Sequence, residues 1–127
     1  MPGKHLFEYA VIRVVPRVER EEFINVGVVL FSKQKRYLKT AIHLPKERLL
    51  ALCPEADISD IQAYLNAFEK ISRGEKDGGP IAVLDLPSRF RWLTATRSTV
   101  LQSSKIHPGL CDDLDDALER LYRQLVK

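Results

Sequence analysis

From Leu6 to Val15 the chain alternates as a pleated strand does, yet neither face of that strand is polar. Phe7, Tyr9, Val11, Arg13 and Val15 fall on one side, Leu6, Glu8, Ala10, Ile12 and Val14 on the other. A strand apolar on both sides must lie inside a sheet, so this segment is expected to be central, ended by Pro16. A second run follows from Phe23 to Ser32, and the polar turn Lys33-Gln34-Lys35-Arg36 leads into a third at Tyr37–Leu44. Three antiparallel strands in sequence order are the frame on which the remaining residues must be hung.

Helical patterning follows the strands. Pro45 opens a short helix over Lys46–Leu52, closed by Cys53-Pro54. A longer helix is expected from Ser59, with Ser59 and Gln62 forming a capping box and Gly74 ending it. Ile58, Ile61, Leu65, Phe68 and Ile71 form its apolar stripe. Glu75–Pro80 reads as a flexible loop, and Ile81–Leu86 fits a strand or a helical turn equally well. Phe90–Ala95 and Thr99–Gln102 are expected to be two strands or one bent strand, and His107–Cys111 a loop. A final helix over Asp112–Val126 carries the stripe Leu114, Leu118, Leu121, Leu125, with Asp112 or Asp113 as its cap and its acids at the start matching the helix dipole. The expected fold is α+β: an antiparallel sheet of four to five strands, two or three helices mainly on one face, and the other face open to solvent or a second subunit. At 127 residues, with 45% hydrophobic and 29% charged side chains, residues 1–127 are expected to form one domain.

A net charge of +3 is too small for a surface built around phosphate backbones, so nucleic acid is disfavoured as a partner. No apolar run approaches the roughly 20 residues that span a bilayer. Cys53 and Cys111, 58 positions apart and outside any CxxC pair, read as reduced thiols, buried or semi-buried, in a cytoplasmic protein. No HExxH, GxGxxG, P-loop or GxSxG pattern is present, so neither a metal nor a cofactor is expected. The acids Asp112, Asp113, Asp115 and Asp116 lack the spacing of a calcium loop and are better explained as a helix start.

One segment stands apart. Ser88–Cys111 holds Arg89, Arg91, Arg97 and Lys105, seven hydroxyl side chains and no acid. Guanidinium forks and hydroxyls together suit a carboxylate or phosphate, so Arg91, Thr94, Arg97 and Ser98 are candidates to clamp an anion. Arg13 and Asn25, polar interruptions of apolar strands, would form the floor, and His107 could act at the rim. The competing explanation is a solvated edge whose arginines pair with acids elsewhere. Arg13 would then pair with Glu8 or Glu22, Gly27 would mark a bulge or a close approach, and Trp92 would be a core anchor.

Tyr9-Ala-Val-Ile-Arg13, Phe23-Ile-Asn-Val-Gly-Val-Val-Leu-Phe31, Phe90-Arg-Trp-Leu-Thr-Ala-Thr-Arg-Ser-Thr-Val-Leu-Gln102 and His107-Pro-Gly109 together resemble the bacterial domain-of-unknown-function family numbered 3037, from about residue 7 to residue 126. That resemblance implies a small bacterial cytoplasmic protein of unassigned activity and makes a kinase-like protein partner attractive. It carries no catalytic residues over. Three functions are therefore expected to compete. The first is a non-enzymatic binding or accessory module taking an anionic group from a partner protein or small ligand. The second is an enzyme on a phosphorylated or nucleotide substrate, with His107 as general acid or base. The third is a structural module pairing two copies through an exposed sheet edge or an apolar helix stripe.

Overall fold

The structure is a computed structural model and describes residues 4–95 and 99–127. Its strands are β1 (His5–Val14), β2 (Ile24–Ser32), β3 (Tyr37–Ile42), β4 (Leu101–Ser103) and β5 (His107–Cys111). Its helices are α1 (Lys46–Leu52), α2 (Ile58–Arg73), α3 (Leu86–Leu93) and α4 (Leu114–Leu125). The fold is α+β, with one more helix than the upper expected number. All the strand pairings are antiparallel, and β1 is central as its two apolar faces require: β2 and then β3 lie on one side. On the other side β4 and β5 share the edge of β1 end to end. β4 pairs with Ile12–Val14 and β5 with His5–Tyr9. Between them Ser104 keeps the join closed, since Val11 N–H donates to the Ser104 hydroxyl and Ser104 N–H donates to the Val11 carbonyl, both at 2.8 Å.

Helices cover both faces of this sheet. Ala10, Ile12, Val14, Val29 and Phe31 pack under α1, α2 and α3 through Leu49, Leu65, Phe68, Phe90 and Leu93. Phe7, Val28 and Leu30 pack under α4 through Leu114, Ala117, Leu118 and Leu121. The second face is therefore closed by this chain's own last helix, not left to solvent or a second copy. Each side chain fully buried in these layers contributes about 1.5–3 kcal/mol.

Local chemistry explains where the elements begin and end. The cap of α2 is Asp57, which accepts from Asp60 N–H, two residues before the expected Ser59; Ser59 lies within the helix. Gly74 ends α2 at φ 70°, as expected. Residues 80–83 form a 3₁₀ turn. Phe90–Leu93, expected as strand, belongs to α3: Asp85 accepts from Ser88 N–H, Pro87 occupies the first turn, and Phe90 and Leu93 bury on one face. The segment expected as a loop at 107–111 is β5. Its Pro-Gly pair does not turn there, because Gly109 lies beneath the ring of Phe7, where a Cβ would collide with it. At Gly27 a Cβ would lie 2.9 Å from the Ile42 side chain and 3.1 Å from Ile12, and the register shifts just beyond, between Ile12 and Arg13. Asp113 caps α4 by accepting from Asp116 N–H. No helix among the described residues is long and apolar enough to cross a membrane.

Candidate functional site

The residues singled out for an anion pocket fall on opposite sides of the sheet. Arg13 and Asn25 are register partners on the α4 side, where Asn25 Nδ2 donates to the Leu125 carbonyl at 3.1 Å. The Arg13 guanidinium lies 4.1 Å from the centre of the Phe23 ring. Its expected acidic partners are not there: Glu22 pairs with Arg20, and Glu8 lies on the other face of β1. Arg13 Nε and Asn25 Oδ1 are both buried without a hydrogen bond. His107 also belongs to the α4 side, exposed and packed on Tyr9 with ring centres 5.3 Å apart.

Arg91 and Thr94 are on the far side, on α3. Arg91 donates to the Ser88 hydroxyl at 3.2 Å, and Thr94 donates to the Phe90 carbonyl at 2.8 Å, finishing its own helix. Arg97 and Ser98 lie outside the described residues. Among the described candidates, then, Arg13, Asn25 and His107 cannot share one cleft with Arg91 and Thr94, because β1 and its layers stand between them.

Arg89 has a structural task that charge patterning did not reveal. It is buried, and its guanidinium donates to the carbonyls of Leu84, Ile71 and Ser72 at 3.0–3.1 Å. A charged fork thus serves the Ile71 and Ser72 carbonyls at the end of α2, the first of which also accepts from Gly74 N–H, and ties α3 to it. Gly74 leaves room for that fork, since a Cβ there would stand 2.7 Å from its nitrogen.

That tie sets one wall of a cleft of about 580 Å³ that opens between α2, α3 and the β4 edge of the sheet. Tyr64, Ala67, Phe68 and Ile71 of α2 line one wall, Trp92 of α3 and Thr99, Val100 and Leu101 the other, with Val18 closing the end. All of the second wall comes from the acid-free segment. Trp92 is 36% exposed and Tyr64 52%, so the single tryptophan is part of a surface wall, not the core anchor expected. The volume is within the range of ligand-binding sites, and the lining is apolar apart from a few hydroxyl and ring N–H groups.

Over Tyr64 and Val100 the cleft continues into a second hollow of about 330 Å³ whose character is different. Glu55, Asp57 and Asp60 line it together with Arg17. Arg17 donates to Glu55 at 2.7 Å, and this bond holds the Glu55 carboxyl below the ordinary glutamate range, so it is ionised at neutral pH. Among the described residues no three His, Cys, Asp or Glu side chains gather as a metal would need, and Cys53 and Cys111 are free, buried thiols. Burial pushes the Cys111 thiol above its usual pKa.

Sheet, covering helices and cleft define an α+β protein with helices on both faces of one antiparallel sheet and an apolar cleft between α2, α3 and the β4 edge. The chain belongs to a family described as "Protein of unknown function (DUF3037)", which matches residues 9–126. No curated protein and no solved structure matches it.

Proposed function

We propose that the protein is a non-enzymatic binding module that engages a partner protein through the cleft between α2 and residues 99–101. The observation that carries this reading is the exposure of Tyr64 and Trp92 across an otherwise apolar hollow. Two large aromatics facing one cavity are the kind of surface that proteins keep for recognition. Arg89 supports it as well, because a wall fixed by three hydrogen bonds, two of them buried, is preorganised to receive a ligand.

Trp92 is the chain's single tryptophan, so its emission reports on the cleft directly. Anilinonaphthalene sulfonate added to the native protein should bind saturably, with energy transfer from Trp92. Ala67→Phe, placed on the exposed wall of α2, should abolish that transfer while leaving the circular dichroism unchanged. Equal binding by both proteins would remove the cleft from consideration.

A second reading concerns the anion expected from the sequence. It rests on Arg13, which holds its charge over Phe23 with no ion pair among the described residues. Such a cation is free to meet a carboxylate or phosphate group of a ligand. Inorganic phosphate at fixed ionic strength should then raise the melting temperature of the wild type and not of Arg13→Gln. The same panel applied to Arg97→Ala tests the acid-free segment.

A further inference from the structure

We infer that the cleft takes a peptide segment of a partner protein that is apolar at one end and basic at the other. This rests on the binding reading above and adds the chemistry of the partner. The argument begins with length. The apolar hollow reaches Ile71, and the acidic one, continuous with it across Tyr64 and Val100, reaches Asp57. Along α2 that separation is about 20 Å at 1.5 Å per residue. A compact small molecule filling the apolar half would leave the acidic half empty. About six residues of extended chain, at roughly 3.3 Å each, would run the full distance.

Charge then sets direction and composition. Among the described residues, the far half presents Glu55, Asp57 and Asp60 against one cation, Arg17, which is already engaged by Glu55. Asp57 gives one carboxylate oxygen to the start of α2, whereas the Asp60 side chain is exposed and makes no hydrogen bond among the described residues. The near half offers Tyr64, Phe68 and Trp92. A segment that fits both halves places aliphatic or aromatic side chains between Tyr64 and Trp92 and lysine or arginine beside Asp57 and Asp60. An acidic segment would meet a like charge there and be turned away.

The test titrates the wild-type protein with a short synthetic peptide, leucines at one end and lysines at the other, and with its counterpart carrying glutamates in place of the lysines, following Trp92 emission. The lysine peptide should bind about tenfold more tightly, the size expected of two exposed ion pairs, and added salt should narrow the gap. Asp60→Lys should erase the preference, with Asp60→Asn intermediate, and Ala67→Phe should abolish binding of the lysine peptide. Equal affinity for the two peptides, both blocked by Ala67→Phe, would overturn this inference and leave the binding reading standing. Binding of neither peptide would overturn it too, and the dye measurement then decides the cleft's role separately.

Discussion

At the scale of single residues, the side chain whose loss should cost most is one whose sequence context looks unremarkable. Arg89 feeds three carbonyls from within the protein, and Arg89→Met would leave the Leu84 and Ser72 carbonyls without that donor and the Ile71 carbonyl with the Gly74 N–H in its place. A loss of about 3 kcal/mol in urea unfolding is expected, with Arg89→Lys recovering only part of it because an ammonium cannot reproduce the fork. Nothing in the order Ser-Arg-Phe-Arg-Trp separates Arg89 from Arg91. The difference lies in helix α3, which turns one inward and the other out. Arg13 was legible as an oddity, since a charge in an apolar strand is conspicuous. Its neighbours were not, because they depend on which strands pair. Asp115 allows a prediction in pH. Tyr37 and Lys39 donate to its carboxylate and lower its pKa in the folded state. The unfolded value is about 3.9, so the stability these contacts confer is present above that pH and lost as pH falls through the folded pKa. The urea midpoint of Asp115→Asn should therefore lie below that of the wild type at neutral pH and converge with it in acid.

Among elements, β1 to β3, α1, α2 and α4 were readable because each carries several turns or pleats of one period. The failures cluster in residues 81–111, where the elements are short and each local signal serves two structures. Phe90 and Leu93 satisfy a helical face, yet Phe90–Ala95 also reads as an alternating strand. The deciding clue was upstream, in Asp85 and Pro87. The cleft was half legible: the acid-free segment was identified as unusual and supplies one wall, but the opposite wall on α2 is invisible until the fold is known. The role of α4 has a direct consequence for stability. Leu118 is buried against the sheet together with Leu114 and Leu121, and Leu118→Ala should cost about 2–5 kcal/mol, read as a lowered urea midpoint.

For the whole molecule, the two apolar layers are joined through single strands. Val28 and Val29 are neighbours on β2, yet one packs under α4 and the other under α1 to α3. Neither layer can melt without exposing the back of the other, so unfolding should be one transition. Trp92 emission follows the α3 side; in a Tyr64→Phe background the near-ultraviolet dichroism of Tyr9, Tyr37 and Tyr122, two packed against α4 and the third on it, follows the other. Their urea curves should coincide in that background and shift together when Leu118→Ala is added; two separated curves would show independent layers. The shared edge of β1 also dictates a timetable. His5 pairs with Cys111 and Val14 with Leu101, so during synthesis β1 waits for roughly ninety residues before its second neighbour is made. Closing so long a loop is slow. Until it closes, one side of β1 is an unpaired edge open to other strands.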